Sequence, residues 1–402
     1  MVIGIIGAGA SGMAAALEAA ACPGTLVLLF ERQARVGRKL QATGNGRCNL
    51  SNLHADEKGY HGENVAFVQP AMGRFSVKNT LQWFEDLGLY TVAEPSGRVY
   101  PYSDQANSVV DVLRFALERA NIQLISGFEV TKVKQSEGHF LVEGNGESYR
   151  CQKLIVACGG LAGSKLGGSM SGYQLLRAFG HKATHLRPAL VQVKSSWSGC
   201  AALKGVRANC HAAIYRGEQL HSESTGELQF TEYGLSGPVM FEISRDVCTT
   251  RENWFCRLDL LPDLTKARVM EMLERRRAMD IPTEELLTGI LHNRLGRVLT
   301  RAAGISNGIR TSQLRQDELE HLADTIKGLE VTVTEPLGMD SAQVTAGGIR
   351  TDEFDSGTME SLRVPGLYAC GEVLDIDGDC GGYNLQWAWS SGRLAGASAG
   401  GR

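Results

Sequence analysis

The chain has 402 residues, an apolar fraction of 43%, a charged fraction of 21% and a net charge of −3. This length exceeds one ordinary hydrophobic core and predicts two or three domains. The nearly balanced charge gives no electrostatic support for nucleic acid or an anionic membrane as the main partner.

The first residues have the pattern of a strand, a helix and a second strand. Val2 to Ile6 is an apolar run typical of a buried parallel strand, and GAGASG follows it directly. The alanine-rich segment predicts a helix, and TLVLLFE predicts a second buried strand that ends at Glu31. Because glycines interrupt this apolar run and no basic segment precedes it, we expect no signal peptide and a cytoplasmic protein.

Three glycines in this unit have the spacing of a dinucleotide-binding turn. Gly7 allows a tight turn, Gly9 lets a pyrophosphate approach the backbone, and Gly12 permits close helix–strand packing. Glu31 lies 19 residues beyond Gly12, near the position expected of a ribose-binding acid. The helix N-terminus adds N–H groups and partial positive charge, so the unit predicts a bound dinucleotide.

The next segment, GRKLQATGNGRCNLSN over residues 37–52, has neither helical nor strand periodicity. We interpret this opening segment as a loop around a cofactor. Its glycines bring backbone N–H groups close to a ligand, its cations supply positive potential, and its asparagines stabilise turns.

Helices are predicted next from VKNTLQWFEDLGL and ANSVVDVLRFALERAN. FEVTKVKQ, HFLVEG and ESYRCQ predict an antiparallel meander with turns at Glu137-Gly138 and Asn145-Gly146. KLIVACGG then predicts a return to a buried strand.

The pattern changes near Arg187. Short strands through residue 262 indicate a small barrel or sandwich, residues 263–328 are mainly helical, and EVTVTEP predicts another strand. The C-terminal region predicts a strand, a glycine-rich turn and a helix. We therefore predict an α/β domain over residues 1–187 and 336–402, an inserted β-barrel over 188–262 and 329–335, and a helical subdomain over 263–328.

Two features favour FAD over NAD as the bound dinucleotide. KLIVACGG after a meander resembles the corresponding strand of flavoproteins with two dinucleotide-binding domains. In such proteins an acid after a strand like LYACGE meets the ribityl chain, a role that falls here to Glu372. A helix starting near Asn384 would direct its N-terminus at the flavin pyrimidine.

Three longer motifs carry a family resemblance. GRKLQATGNGRCNLSN, QFTEYGLSGP and CGEVLDIDGDCGGYNLQWAWSSG resemble the bacterial NAD(P)/FAD-dependent oxidoreductases of the BaiN/RdsA family, some of which are labelled aminoacetone oxidases. The resemblance implies a Rossmann-type FAD domain with an inserted β-barrel and a small helical subdomain. One departure is Asn45, where members commonly have glycine; asparagine tolerates the left-handed region, so we expect the turn to persist.

The resemblance also implies a set of cofactor-binding residues. Those of the AMP half are Gly7, Gly9, Ala10, Ser11, Gly12, Glu31 and Arg32, with the backbone of Val130 at the adenine. Those on the flavin side are Arg38, Lys39, Gly46, Arg47, Cys48 and Asn49. Those along the remaining path are Gly159, Gly160, Gly371, Glu372, Asp377, Gly382, Asn384 and Leu385.

For the reaction, the family implies reduction of a C=C bond conjugated to a ketone in a bile-acid or steroid-like ring, or oxidation of a small amine such as aminoacetone to give H₂O₂. Tyr383 and Tyr233 are candidate acids or hydrogen-bond donors, and Cys48 is a candidate for charge transfer or simple packing. His61, His181 and His185 are candidate bases; for His181 and His185 a place at the surface or at a helix end is an equally good interpretation.

Partners are predicted mainly from what the sequence does not contain. No second GxGxxG follows Gly160, so NAD(P)H is expected to dock transiently, with O₂ or another protein as alternative redox partners. The ten cysteines include no Cys-x-x-Cys pair, and we predict no metal. A FAD protein acting on RNA is a further alternative, disfavoured by the charge. We expect a small-molecule substrate, no nucleic acid and no membrane, and leave the oligomeric state open.

Overall fold

The computed structural model describes residues 1–248 and 254–402, and these form two compact units. The first unit comprises Met1–Arg187 and Gln343–Arg402, and the second comprises Pro188–Ala342. The predicted strand over residues 252–261 begins outside the described residues, and its described part is Trp254–Asp259. The separate helical subdomain stays a prediction.

A five-stranded parallel sheet forms the centre of the first unit. Val2–Ile6 lies in the middle of the sheet, because it pairs with Leu26–Glu31 along one edge and with Lys153–Val156 along the other. The order across the sheet is Leu367–Ala369, Lys153–Val156, Val2–Ile6, Leu26–Glu31 and Ile122–Ser126. The predicted buried strands are confirmed, whereas the last edge strand was not predicted since its IQLIS sequence is only partly apolar and partly exposed.

Two long helices pack together against this sheet. Ala10–Ala20 and Tyr383–Gly400 approach so closely that a methyl group at Gly392 or Gly396 would overlap the backbone of the facing helix. Small residues therefore permit the contact, as expected for close helix packing. The other helices of this unit are Arg38–Ala42, Gln69–Arg74, Val77–Asp86, Ala106–Arg119 and Ser171–Ala178.

The predicted meander is confirmed as an antiparallel sheet of Val130–Ser136, His139–Gly144 and Glu147–Cys151. Both predicted turns have positive φ angles at their two central residues, 51° and 74° at Glu137-Gly138 and 49° and 81° at Asn145-Gly146. Such angles match the right-handed twist of the flanking strands. Smaller sheets pair Ser51–Asn52, Arg98–Pro101 and Thr91–Ala93, and also Tyr60–His61 with Asp377–Gly378.

The second unit contains a closed six-stranded barrel, which resolves the choice between barrel and sandwich. Its strands, in order, are Val193–Ser195, Gly234–Ser236, Gln219–Phe230, Arg207–Arg216, Trp254–Asp259 and Leu329–Pro336. The helices are Gly199–Ala202, Pro238–Val247, Lys266–Arg277, Asn293–Ala302 and Gln316–Lys327. Two short strands lie in the sequence where the chain passes from one unit to the other, Arg187–Ala189 at the first change and Val344–Ala346 at the second. The predicted Rossmann-type α/β fold with a β-barrel is thus confirmed.

The opening segment is not simply a loop. Gly37, with φ of 68°, precedes a helix over Arg38–Ala42, and a 3₁₀ turn over Thr43–Gly46 follows. Asn45 has φ of 55°, so the substituted residue takes the left-handed conformation expected for it. Among the described residues, no helix has the length and apolarity needed to cross a membrane.

Candidate functional site

The three glycines of the first turn have distinct geometries. Gly7 has φ of 104°, which favours glycine, and a methyl group at Gly12 would overlap the carbonyl of Gly7. Gly9 differs, because no described heavy atom lies within 4 Å of the position its Cβ would take. Gly7 and Gly12 are therefore required by the fold itself, while Gly9 presents open backbone. Ala10 and the buried Ser11 begin the helix.

Glu31 holds this turn through its carboxylate. One oxygen accepts a hydrogen bond from Ala8 N at 2.8 Å, and the other accepts one from Gln33 N at 2.8 Å. The neighbouring Arg32 donates to the carbonyl of Gly167 at 2.7 Å. The buried Val130 starts the meander opposite Gly144. The predicted contacts of these side chains with a ribose and an adenine stay predictions.

Lys39 and Glu372 form an ion pair that joins two predicted motifs. The Nζ of Lys39 lies 2.9 Å from Oε2 of Glu372, although the residues are 333 positions apart. The other carboxylate oxygen accepts a hydrogen bond from Thr345 N at 2.8 Å. A methyl group at Gly160 would overlap this carboxylate, whereas Gly159, with φ of 70°, faces open space. The opening segment, the strand ending in glycines and the CGE turn therefore meet at one place.

The two arginines of the opening segment lie elsewhere. Arg38 is exposed and donates to Gln33 Oε1 at 3.1 Å. Arg47 pairs with Asp104 and with Glu94, and its guanidinium lies 4.0 Å from the centre of the Tyr100 ring. The hydrogen bond to Asp104, together with that to Glu94, raises the pKa of Arg47 although burial opposes it. Lys39 is therefore the cation of this segment that meets Glu372.

Cys48 is fully buried and has φ of 60°. Burial raises the pKa of its thiol to about 12, against a smaller lowering by a hydrogen bond with Thr43. A thiol with this pKa is protonated at neutral pH and is a poor nucleophile. Of the two predicted roles, the packing role fits this environment. The adjacent Asn49 has a buried Oδ1 without a hydrogen-bond partner among the described residues.

The turn before the final helix is held tightly. Gly382 has φ of 108°, and a methyl group there would overlap the backbone of Ser51. Asn52 Nδ2 donates to the carbonyl of Gly381 at 2.9 Å. Asn384 accepts from Gly378 N at 2.8 Å and donates to the same residue's carbonyl at 2.7 Å. The opening segment and the C-terminal glycines thus form one wall. Gly371 lies in the turn Gly371–Val373, and the half-buried Leu385 lies at the start of the final helix.

Tyr383 is the first residue of the final helix and stacks edge-on against Tyr60, with ring centres 5.9 Å apart. Its hydroxyl donates to the carbonyl of His54 at 3.3 Å. Tyr233 belongs to the second unit, where its hydroxyl donates to Gln192 Oε1 at 2.7 Å. Both phenols therefore already have acceptors, and their predicted catalytic roles stay predictions.

His61 has a partner that the sequence reasoning missed. Its Nε2 lies 2.7 Å from Oδ1 of Asp379, a residue 318 positions away. Asp377, which is buried, is the residue opposite His61 in the two-stranded ladder. No local sequence pattern marks Asp379, because only the antiparallel pairing of two short strands brings it to the imidazole.

His181 and His185 differ in environment. His185 is exposed, as the surface interpretation predicts. The helix-end interpretation of His181 is confirmed, since its N–H donates to the carbonyl of Leu176 at 3.2 Å at the end of the helix Ser171–Ala178. The surface interpretation of His181 is wrong, because the side chain is buried between Glu353 and Ser361 at 2.7 and 3.0 Å. Sequence alone missed this, since both partners come from a distant segment. Within residues 1–248 and 254–402, no group of three or more His, Cys, Asp or Glu side chains is placed to hold a metal ion.

Comparison with known proteins places the chain in a family. The model of the HI0933-like protein Rossmann domain matches residues 1–398. The chain belongs to the HI0933-like family. A 3-dehydro-bile acid delta(4,6)-reductase from Clostridium scindens is 39% identical over 99% of this chain and 98% of its own length.

Two other relatives of this HI0933-like protein carry a different name. Ribosomal RNA dihydrouridine synthases from Escherichia coli and Haemophilus influenzae are 32% and 31% identical, each over 96% of this chain and 95% of the relative. All three relatives match nearly end to end, so the two units are shared. The chain is an enzyme, a flavin-dependent oxidoreductase.

The residues of the first unit fit a flavin. Gly9 presents open backbone at a helix N-terminus, which suits a pyrophosphate. The unpartnered Oδ1 of Asn49 is a buried acceptor that the fold leaves unsatisfied, and such an atom is expected to meet a ligand donor. Glu372 offers carboxylate oxygens beside Gly160 for a hydroxyl. These three features lie on the elements that the sequence assigned to the cofactor.

Proposed function

We propose that this HI0933-like protein binds FAD and uses NAD(P)H to reduce a C=C bond conjugated to a ketone in a bile-acid-like, steroid-like or other small organic substrate. The observation that carries the proposal is the 39% identity with the Clostridium scindens reductase over 99% of this chain. A shared cofactor fold alone would align only the first unit, whereas this similarity includes the barrel.

The cofactor would be held by the first unit. The N–H groups at Gly9 and the start of the Ala10–Ala20 helix would bind the pyrophosphate, and Glu372 with Lys39 would bind the polar chain beyond it. When bound, FAD supplies hydride transfer, which no protein side chain provides. Asn49 would satisfy its buried acceptor against the flavin edge.

The chain's own residues orient the reaction. The N-terminus of Tyr383–Gly400 provides partial positive charge, and Asn384 holds the preceding turn in place. The hydroxyl of Tyr383 is engaged with a backbone carbonyl and thereby fixes the ring. The ion pair with Lys39 and the hydrogen bond from Thr345 N orient the Glu372 carboxylate before any ligand arrives.

A two-step anaerobic experiment tests this function. The purified flavoprotein is mixed with NADH or NADPH while flavin absorbance is followed, and the reduced protein is then mixed with a panel of cyclic enones. Rapid bleaching followed by reoxidation with an enone is expected. Rapid reoxidation by O₂ with H₂O₂ formation, and none by any enone, would instead establish an oxidase.

A second candidate substrate is uracil in ribosomal RNA, favoured by the two rRNA dihydrouridine synthases. The C5=C6 bond of uracil is also conjugated to a ring carbonyl, so the same hydride and proton additions apply. Several barrel-surface cations are, however, neutralised by acids, which weakens phosphate binding: Lys194–Glu335, Lys204–Glu232, Arg207–Glu227 and Arg257–Glu330.

The RNA candidate has its own assay. Reduced enzyme is incubated with ribosomal RNA lacking dihydrouridine, and the modified nucleoside is measured after digestion to nucleosides. Dihydrouridine formation with no turnover of small enones would replace the first candidate with the second. Turnover of enones with RNA left unmodified would exclude it.

A further inference from the structure

We propose that His61, held by Asp379, donates the proton that completes reduction of the conjugated C=C bond. The proposal rests on the proposed function and names a residue for it. The Nε2 of His61 lies 2.7 Å from Oδ1 of Asp379, and this pair is called the His61–Asp379 dyad below. Carboxylate-bound imidazoles are frequent proton-transfer groups in enzymes.

Both members of the dyad are positioned by backbone hydrogen bonds. Tyr60–His61 pairs antiparallel with Asp377–Gly378, and Asp379 N donates to the carbonyl of Gly59 at 2.9 Å. The side chain of Asn384 bonds to both polar atoms of Gly378 and to the carbonyl of Asp379. The backbone of both residues is therefore fixed, which brings the two side chains within reach of one another.

The dyad leaves one imidazole nitrogen available. Nε2 faces the carboxylate, while Nδ1 has no hydrogen bond within the described part of the chain. The side chain of His61 is 32% exposed, so a small molecule can reach it. Because the carboxylate favours the proton on Nε2, the proton taken up by the ring resides on Nδ1, where it can be given away.

The dyad adjoins the segment assigned to the cofactor. Asn384, which holds the turn of Asp379, is the second residue of the final helix. Gly382 packs on the backbone of Ser51, close to the unpartnered Oδ1 of Asn49. The dyad is therefore attached to the same wall as the atoms that fit a flavin.

Competing donors in the first unit are less suited. The hydroxyl of Tyr383 donates to a backbone carbonyl, and the thiol of Cys48 is buried. The elements packed around His61 carry mostly acidic side chains. The titratable and charged groups on them are Asp56, Glu57, Lys58, Glu63, Asp375, Asp377 and Asp379, with Tyr60, Tyr383 and Arg350, the last paired with Glu63.

The step is balanced with the nicotinamide donor. The carbon farther from the carbonyl receives the hydride that originates in NAD(P)H, and the π bond breaks. The carbon next to the carbonyl receives the proton from Nδ1 of the imidazolium, and the neutral ring regains a proton from water. The sum consumes one substrate, one NAD(P)H and one proton and yields the saturated ketone and NAD(P)⁺.

The test separates the two half-reactions in His61→Gln, with His54→Gln as a matched exposed histidine on the same segment. Reduction of the bound flavin by NAD(P)H is expected to stay within about twofold of wild type, because it needs no substrate protonation. Reoxidation by the enone is expected to slow by about 100-fold in His61→Gln alone, the size of a lost general acid. Added imidazole is expected to restore part of the rate.

The results of this experiment separate a failure of the proton-donor proposal from a failure of the proposed function. A His61→Gln variant with normal flavin content and wild-type reoxidation overturns the dyad alone. A wild-type protein that no enone reoxidises overturns the proposed function and with it this step.

A readout independent of turnover uses the cofactor-free protein. ¹⁵N NMR of the imidazole is expected to show the neutral ring of His61 protonated on Nε2, and Asp379→Ala is expected to lose this preference. A neutral ring protonated on Nδ1 in wild type would overturn the proposed geometry. Melting temperature and FAD binding of each variant show whether the fold is kept.

Discussion

Cys48 illustrates how one residue's environment determines its chemistry. Its position in a cofactor motif is compatible with a redox thiol, but the side chain is completely buried and its φ is 60°. Burial raises the thiol pKa to about 12, so nearly all of the population is protonated at pH 7. This residue therefore contributes volume to the core rather than a nucleophile.

We predict that Cys48→Ala retains flavin reduction and substrate turnover. Alanine can adopt the same positive φ as Cys48, and the loss of one sulfur atom is expected to lower the unfolding free energy by about 1 kcal/mol. Stopped-flow rates and chemical denaturation measure the two quantities. A loss of turnover of more than tenfold with unchanged flavin content would contradict a packing role.

At the same scale, the Lys39–Glu372 ion pair is the polar contact that joins the opening segment to the CGE turn. We predict that Glu372→Gln weakens FAD binding about tenfold, equivalent to roughly 1.4 kcal/mol, because the carboxylate is a stronger acceptor than an amide. Fluorescence titration of the cofactor-free protein measures this. Glu143→Gln, which breaks the Lys134–Glu143 pair on the meander, is the control and is expected to leave affinity unchanged.

At the scale of an element, the turn between the first strand and helix contains one glycine that the fold needs, Gly12, and one that is expected to matter only for cofactor binding, Gly9. We predict that Gly12→Ala lowers the melting temperature of the cofactor-free protein, since its methyl group would overlap the carbonyl of Gly7. Gly9→Ala is expected to keep that melting temperature within about two degrees, since open space surrounds the site, but to weaken FAD binding at least tenfold. Equal melting temperatures for the two variants would contradict this division.

The opening segment is also best understood as an element. Its helix, 3₁₀ turn and short strand end in hydrogen bonds to the C-terminal part of the chain: Leu50 accepts from Trp389, Ser51 donates to Gln386 and Asn52 donates to Gly381. These partners give an irregular sequence a defined conformation. Arg47 of the same segment instead pairs with Asp104.

At the scale of the whole molecule, buried polar contacts join distant parts of the first unit. His181 Nδ1 donates to Glu353 at 2.7 Å, and Ser361 lies 3.0 Å from its Nε2. Burial lowers the pKa of His181 below its ordinary 6.5, although the contact with Glu353 acts in the opposite direction. Burial alone would raise the pKa of Glu353, but the hydrogen bonds from His181, Lys182 N and Arg363 lower it.

Both shifts have the same consequence for stability. The unfolded chain binds more protons than the folded chain below the ordinary pKa of histidine, so unfolding free energy is expected to fall as pH decreases from about 7. Protonation of Glu353 extends the loss below the ordinary glutamate value of 4.5. We predict a shallower loss between pH 7 and 5.5 in His181→Gln than in wild type, measured by urea unfolding. His185→Gln, at an exposed site, is expected to follow wild type; identical slopes in all three proteins would contradict the assignment.

Local features of the fold were predictable from the sequence. The strands around Gly7, the two Gly-containing meander turns and the final helix follow from periodicity and from backbone angles that glycine or asparagine tolerates, and these are properties of a few neighbouring residues. The edge strand Ile122–Ser126 and the helix Arg38–Ala42 were missed, because neither has enough periodic residues to be recognised without its packing partners.

The sequence by itself determined the order of the longer strands and helices, the dinucleotide-type turn and the members of the cofactor motifs. Only the tertiary structure decided which of those side chains meet: Lys39 with Glu372, His61 with Asp379, and Arg47 with acids away from them. The physical reason is that pairing, burial and the resulting proton affinities depend on contacts across more than 300 positions for Lys39 and His61. No local pattern contains that information.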